Sequence, residues 1–448
     1  MMSSLATVLN TASRALAAQQ EALQVTAQNV SGANMPGYSR QRVLYGQSVA
    51  DGGVVVMGVA RATNPVLDRQ LLQLSTSSSQ AGTKQQSLEY IQTIFSEPSA
   101  GSLSGLLDEF WAGWQQVSNT PTSQAARVGL LQKATALTDI FQRVARDITS
   151  YRTSLHDQAS QAVNQLNDLS EQIANINVDL ARVQKETIQA NGLRDLRDEK
   201  LRQLAGLAAI TVQEDPLSGA STVLVGGRIL ISGEQAEKVS MIPTGGTFAN
   251  PAWPDGTPFS LGAGAIAAYV DARDNLTVQQ VEELDQLAED LATALNAVHA
   301  GGYGLDGSTG QDFFLGSGAG DLRVNPALLS NPSAIAAAQE ADAPGDSRNA
   351  LAIYNLAHQA VAKSGTLTIA EAYQTQLSSL GTAVVGARDT ARQQELVQEH
   401  LHALRQDVSG VSLDEEMVAL VRYQNAYSVT ARLIDSVNQI MDYLVRTV

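Results

Sequence analysis

The chain of 448 residues contains no cysteine and few charged residues, which make up 17% of the total. The absence of cysteine excludes disulfides, cysteine-ligated metals and thiol nucleophiles. Basic residues are also scarce: 29 Lys and Arg stand against 45 Asp and Glu, which gives a net charge of −16. Because nucleic acids and anionic membrane surfaces attract basic faces, this balance argues against both as partners.

Long apolar runs are missing as well. No stretch reaches the roughly 18 consecutive apolar residues that span a bilayer, and residues 1–30 lack the basic and then apolar order of a cleaved signal. Hydrophobic residues nevertheless form 44% of the chain, enough to bury a core. We therefore expect a folded protein without membrane insertion that is either cytosolic or exported without a cleaved signal.

The apolar pattern predicts a mainly α-helical fold with a smaller β-rich inserted domain. A 4-3 apolar repeat over residues 155–183 predicts a long helix, with a candidate partner helix at 281–298. Gly226-Gly227 separates two β-rich runs, as in a hairpin with a two-residue turn. The expected domains are a terminal helical core (1–60 and 408–448), a helical bundle stalk (61–206 and 266–407) and a central β-rich domain (207–265).

Both ends of the chain predict amphipathic helices that need a partner, because an isolated helix is marginal in water. We expect the two helices to pair as a coiled coil and to contribute to an assembly interface. Spacing alone leaves open whether each seam packs within one chain or between copies. The large apolar seam residues are Leu5, Leu9, Leu16, Leu23 and Val30 at the N-terminus, and Leu413, Met417, Leu420, Tyr427, Ile434 and Met441 at the C-terminus.

The same pattern places Val421, Val437 and Leu444 at the partly exposed edges of the C-terminal seam. That helix begins with a capping box, in which Ser412 is the cap and Glu415 lies three residues on. Asp414 adds negative charge at the positive helix end.

The N-terminal helix is expected to stop at Gly32 in a left-handed cap. The turn Asn34-Met35-Pro36-Gly37 follows, where Pro36 fixes φ and Gly37 takes a positive φ.

Few residues suggest chemistry. His400 and His402 point away from each other on a helix, unlike the i, i+4 pairs that hold zinc. The segment Asp306–Asp312 lacks the regular oxygen ligands of an EF-hand. Helix capping explains Asp414-Glu415-Glu416 better than a catalytic carboxylate pair does. We therefore predict no catalytic residue, no metal site, no cofactor and no enzyme activity.

The turn after the N-terminal helix resembles a known signature. With Asn29, Asn34, Pro36, Gly37 and Tyr38, residues 27–40 resemble the N-terminal motif of the flagellar rod, hook and hook-associated proteins. Met35 stands where that motif usually has Thr. This motif marks the whole axial family without choosing a member.

The C-terminal segment is similar to a narrower group, the family of flagellar hook-associated protein 1. The similarity is carried by residues 411–417, by Tyr423-Gln424-Asn425-Ala426-Tyr427, and by the internal segments 110–127 and 296–314. At 448 residues the chain is short for that family, so we expect an outer insertion domain to be missing.

The resemblance implies a structural protein of the bacterial flagellum. It implies export in unfolded form through the type III apparatus and polymerisation at the hook tip, outside the cell, as the hook–filament junction. The partners it implies are further copies of the chain, the hook protein, a second junction protein and an export chaperone on the C-terminal helix. A hook subunit or distal rod protein is the alternative.

Overall fold

A computed structural model describes residues 2–48, 53–95, 101–215, 219–243 and 245–447. In these ranges the helices are α1 (Met2–Gly32), α2 (Pro65–Phe95), α3 (Leu103–Asn119), α4 (Gln124–Arg182), α5 (Ile188–Leu207), α6 (Ala265–Asp271), α7 (Thr277–Ala300), α8 (Pro326–Ser330), α9 (Arg348–Asn355), α10 (Ile369–Ser409) and α11 (Leu413–Thr447). The strands are β1 (Gln41–Gln47), β2 (Val54–Arg61), β3 (Ile210–Glu214), β4 (Ser221–Val225), β5 (Arg228–Ser232), β6 (Gln235–Ala236), β7 (Ser240–Pro243), β8 (Ala249–Ala252), β9 (Phe314–Leu315) and β10 (Arg323–Val324). The mainly helical class with a β-rich segment is confirmed.

The chain divides into two compact units. The first contains Met1–Gln80, Ser160–Ala267 and Arg392–Val448, and the second contains Ala81–Ala159 and Ala268–Ala391. The finer division into terminal, stalk and β-rich domains stays a prediction.

The second unit is built around an aromatic core. Phe110 and Trp114 lie one turn apart on α3, so both rings point to the same side of the helix. The Trp114 ring centroid lies 5.2 Å from that of Phe313, and the Phe110 centroid lies 5.5 Å from that of Phe314. Leu155 of α4 and Leu284 of α7 are buried in the same cluster.

The first unit contains the predicted β-rich segment. Strands β3 to β6 form one antiparallel sheet in chain order, and β7 pairs with β8. Gly226 and Gly227 join β4 to β5 with φ of 57° and 82°, which confirms the two-residue turn.

The 4-3 repeat of α4 lies near its predicted partner only at its start, where Leu155 is buried in one cluster with Leu284 of α7. From Ala162 to Leu180 its apolar positions are buried in the first unit, whereas α7, the predicted partner, belongs to the second. Asn177 on this part of α4 donates to the carbonyls of Ser221 (3.0 Å) and Gly233 (2.8 Å) in the β-rich segment. The prediction was wrong for this part of the helix because spacing does not specify which element covers an apolar stripe; Ile176 and Leu180 pack with Ala190 of α5.

A second hairpin, β1–β2, follows α1. Its strands pair antiparallel from Gln41↔Arg61 to Gln47↔Val54, with an irregularity after Leu44. Both strands contact α1, so the N-terminal helix has the hairpin as a neighbour in addition to α11.

Candidate assembly site of the terminal helices

Helices α1 and α11 pack against each other in antiparallel orientation. Near one end, Asn29 Nδ2 donates to Glu416 Oε2 at 3.1 Å, and further along, Gln20 Nε2 donates to Tyr427 Oη at 3.4 Å. Closer to the start of α1, Thr11 lines a mainly apolar cavity of about 520 Å³ together with Leu433 of α11. As the α1 number falls, the α11 number rises, so the two chain ends pair within one copy.

The N-terminal seam residues lie at the margins of this contact. All five of the predicted large residues are half-buried, while the fully buried positions described in α1 are small or polar except for Val25. Because α1 packs on both α11 and the hairpin, its buried face is wider than a two-helix seam. The buried residues are Ala12, Ala18, Ala22, Val25, Thr26 and Asn29.

The buried side of α11 differs in part from the predicted C-terminal seam. Leu420, Tyr427, Ile434 and Met441 are half-buried as a group on the inward side, but Leu413 and Met417 are exposed. Val437, expected at an exposed edge, is the most deeply buried of the apolar residues whose side chains are described in α11, at 5% exposure. The edge assignment of Val437 was therefore wrong. Glu416 is buried, and Met417, the next residue, lies about 100° further around the helix and faces outward.

The start of α11 contains part of the predicted capping box. Ser412 precedes the helix, and its Oγ lies 3.5 Å from the amide of Glu415, which donates to it. The Glu415 carboxylate does not return to Ser412 but accepts a 2.8 Å bond from Arg40 Nη1. Asp414 is exposed in the first turn, where its charge suits the positive helix end.

Asn29 is the centre of a buried hydrogen-bond network. Its Oδ1 accepts from Tyr38 Oη (2.8 Å) and from the Gln41 amide (2.9 Å). Its Nδ2 donates to the Gln41 carbonyl (2.9 Å) and to the Glu416 carboxylate. Burial raises the pKa of Tyr38 well above its usual value, with further increases from the Asp195 and Glu416 carboxylates, so the phenol stays a donor.

The turn between α1 and β1 is held by close packing. A Cβ at Gly32 would lie 2.7 Å from atoms of the Tyr38 ring. The helix ends at Gly32 as predicted, but Gly32 does not take the predicted positive φ. Glycine suits this position because the Tyr38 ring fills the space that a side chain would need. Gly37 does take a positive φ, 84°. Asn34 and Pro36 lie exposed in this turn.

The turn is also tied to the helices behind it. The amide of Ser39 donates to Asp195 Oδ2 on α5 at 3.1 Å, and Arg405 Nη2 of α10 donates to the Gly37 carbonyl at 2.9 Å. Arg61 Nη1 bonds both Asp195 and Asp198 at 2.8 Å. Burial raises the pKa of Asp195 although Arg61 opposes the shift.

Sequence reasoning did not identify several of these residues. Glu416 was interpreted only as charge at a helix end, and Arg61, Asp195 and Arg405 were not identified. The sequence offers one signal for Glu416, an acidic residue at a position on the apolar side of a helix. Glu416 lies on the same side of α11 as Leu420 and Tyr427.

The described residues contain no group of three His, Asp or Glu side chains placed to hold a metal ion. Within the same residues, the helices fall short of the length and hydropathy needed to cross a membrane. The site consists of helix faces and a buried polar network, which define a packing surface.

Comparison with known proteins first gives a class. The C-terminal model of the flagellar basal body rod FlgEFG proteins matches residues 406–447, which include α11. This places the tail of the chain in the class of flagellar axial proteins.

The model of the flagellar hook-associated protein FlgK helical domain then matches residues 88–314, which is half of the chain. The chain belongs to the flagellar hook-associated protein FlgK family.

Relatives match over almost the whole chain. Flagellar hook-associated protein 1 of Bacillus subtilis (strain 168) is 26% identical over 492 residues, with 98% of this chain and 97% of the relative covered. The protein of the same name from Salmonella typhimurium is 24% identical over 551 residues, covering 98% and 99%. Since 551 aligned positions exceed the 448 residues of this chain, the Salmonella protein carries insertions that this chain lacks.

The fold is similar to a solved structure, that of the flagellar hook junction protein FlgK from Burkholderia pseudomallei. The TM-score is 0.66 at 16% sequence identity, with 76% of this chain and all of that chain covered. At this identity the likeness concerns the fold.

Proposed function

We propose that this chain is a structural protein of the bacterial flagellum that polymerises at the tip of the hook and forms the hook–filament junction, on which the filament assembles. The observation that carries this proposal is the antiparallel α1–α11 pair, which buries one side of α11 and leaves an apolar stripe on the other. Family membership supports the flagellar location.

The uncovered side of α11, here called the α11 outer face, consists of Val418, Val421, Val429 and Ile440. All four are exposed, and Val429 has 66% of its surface accessible. An apolar stripe of this length on a surface helix indicates a partner. Because copies of a tube-forming protein are adjacent, the matching surface belongs to a second copy. Met417, also exposed, lies one turn before Val421 and borders this surface near the start of the helix.

The N-terminal helix has a supporting role in this proposal. Leu5, Leu9, Leu16, Leu23 and Val30 are each half-buried by the intramolecular contact and retain surface for a neighbour. We place the terminal helical core, residues 1–60 and 408–448, at the inside of the assembly.

The route to the assembly site is export in unfolded form through the flagellar type III apparatus to the cell exterior. The absence of cysteine suits such threading, since no disulfide obstructs it.

The partners in the finished structure are the hook protein below and a second junction protein above. The role is structural rather than enzymatic. Before export, a chaperone covers the exposed face of α11, because an amphipathic helix suits a groove.

Deletion of the gene tests the main proposal. Electron microscopy should show hooks without filaments, and flagellin should be lost to the medium. If hooks are missing as well, the protein is instead a component of the rod or hook, the alternative that the C-terminal rod-protein match permits. Normal filaments would contradict any axial role.

Chaperone binding is tested separately with the purified full chain and a variant lacking residues 411–448. The variant should lose affinity for the organism's own export chaperones at least tenfold. A full-length variant with Leu329→Ala, an exposed apolar residue outside α11, should keep it. Retained affinity after the deletion would contradict this part of the proposal.

A further inference from the structure

A cavity of about 360 Å³ in the first unit is lined mainly by charged side chains. It lies where the end of β2, the start of α2 and the second half of α5 come together. Four arginines line it, although the chain as a whole has a net charge of −16. They are Arg61, Arg69, Arg197 and Arg202.

Three acids also line the cavity, and two of them are engaged by these arginines. Asp198 accepts bonds from Arg61 at 2.8 Å and from Arg197 at 3.4 Å. Glu214 accepts from Arg197 at 3.2 Å. The third acid, Asp68, is half-exposed, so solvent screens part of its charge. The paired acids hold the arginine side chains in place without using all of their donors.

Guanidinium donors therefore remain beside the cavity. The Arg197 side chain is 3% exposed, and its Nε has no hydrogen-bond partner among the described residues. Arg69 uses its Nε on the Pro65 carbonyl at 3.1 Å, and Arg202 uses Nε and Nη2 on Glu199 Oε2. Within the same part of the chain, the other nitrogens of Arg69 and Arg202 make no bond. A buried donor without an acceptor is destabilising, so an acceptor placed in the cavity would stabilise the site.

The groups around the cavity experience an excess of positive charge. Burial lowers the pKa of Arg194, and the Arg61 guanidinium lowers it further. Burial also lowers the pKa of His402, with further decreases from Arg202 and Arg405. The start of α2 adds the positive end of a helix dipole. The charge that suits this cavity is therefore negative.

We propose that the cavity binds a small tetrahedral oxyanion with two negative charges, of the sulfate or phosphate kind. The planar guanidinium group of arginine binds such anions through paired hydrogen bonds. The bound anion connects Arg69 of α2 with Arg197 and Arg202 of α5, and so adds a ligand-dependent contact within the first unit. The inference concerns a single copy of the chain and does not depend on the proposed function.

Calorimetric titration of the full chain with sodium sulfate at neutral pH tests the site, with sodium chloride at equal ionic strength as the reference. Saturable binding is expected for sulfate only, and inorganic phosphate should compete with it. Arg69→Gln should weaken sulfate binding about tenfold or more, because it removes a charged donor. Asp68→Asn should strengthen it severalfold, because it removes a negative charge from the lining. Arg432→Gln, at an exposed arginine of α11, is the matched control and should bind as the original chain does.

Three results would overturn the inference. Heat that does not saturate, or that chloride reproduces, would mean that sulfate acts only as a general salt. Saturable binding that neither Arg69→Gln nor Asp68→Asn changes would place the anion elsewhere on the chain. Weaker binding in both variants would contradict the charge argument, since the two are expected to change the affinity in opposite directions. That opposition also separates loss of the site from a general loss of structure.

Discussion

The side chains of Arg40 and Glu416 meet although they lie 376 positions apart in the chain: Arg40 Nε donates to Glu416 Oε1 at 2.8 Å. Glu416 is buried at 2% exposure, whereas the Arg40 side chain is about one-third exposed. This pair, together with Asn29, closes the N-terminal turn onto the first turn of α11. It therefore fixes which face of α11 points inward and which remains for assembly.

Arg40→Ala should loosen α11. The substitution removes a charged donor from the buried Glu416 carboxylate, and a lost charged hydrogen bond costs about 1.5–3 kcal/mol. The free energy of opening of the α11 amides, measured by hydrogen exchange, should fall by that amount. Arg432→Ala, an exposed arginine on the same helix, should change protection by less than about 0.5 kcal/mol. Unchanged exchange in Arg40→Ala would mean that the pair does not hold the helix.

Gly32→Ala and Gly192→Ala should have opposite effects, although both glycines are helical and in the first unit. At Gly32 the new Cβ meets the Tyr38 ring at 2.7 Å, while at Gly192 nothing lies within 4 Å. Overpacking at Gly32 should lower the free energy of unfolding by about 1–3 kcal/mol. At the open position of Gly192, alanine should stabilise the helix by about 0.8–1 kcal/mol relative to glycine. Hydrogen exchange of α1 and α5 measures both. A neutral Gly32→Ala would show that the ring moves aside freely.

The stability of the second unit should fall as pH decreases below about 6.5. His299 Nδ1 donates to the Gln311 carbonyl (2.7 Å) and its Nε2 accepts from the Ala336 amide (3.0 Å), so the folded ring is neutral. Burial lowers the pKa of His299. The unfolded chain therefore takes up a proton near the ordinary pKa of 6.5 while the folded chain does not, and the free energy of unfolding decreases.

Urea unfolding at pH 8 and pH 5.5 measures this effect. In a Trp253→Phe background, Trp111 and Trp114 report the second unit alone. His299→Gln should reduce the difference between the two pH values, whereas His358→Gln, an exposed position, should retain it. An identical pH dependence in both variants would assign the effect to other groups.

Val421→Asp combined with Val429→Asp should prevent assembly without unfolding the chain. Both residues belong to the α11 outer face, and burying a valine contributes roughly 1.5 kcal/mol. Loss of about 3 kcal/mol weakens association about a hundredfold. Cells should carry few filaments, as counted by electron microscopy, although immunoblotting detects the variant in the medium; absence of the variant from the medium would instead indicate lost chaperone binding. Gln439→Asp, a polar exposed position on α11, should assemble normally; normal filaments in the double variant would exclude this face from the interface.

Much of the fold was predictable because it depends on local signals. Periodicity identified the terminal helices and the long α4, and Gly226-Gly227 identified the β4–β5 turn. The predicted partner was wrong for the part of the α4 repeat after Leu155, because an apolar stripe does not specify which element covers it. The site was predicted in part: Asn29 and Tyr38 were recognised as motif residues, but their bonds to each other and to Glu416 were not.

The sequence by itself determined the class of protein and the amphipathic character of its two ends, since composition, helical spacing and the motif around Pro36-Gly37 are local properties. Tertiary structure alone decided which side of each terminal helix is buried. Leu420 and Val437 face inward and Met417 outward in the packing of α11 on α1, and at the first turn of α11 Glu416 is bound by Arg40 and Asn29 from the opposite end of the chain. A long-range ion pair leaves no periodic trace in the sequence, so the surface left for assembly could be read only from the folded chain.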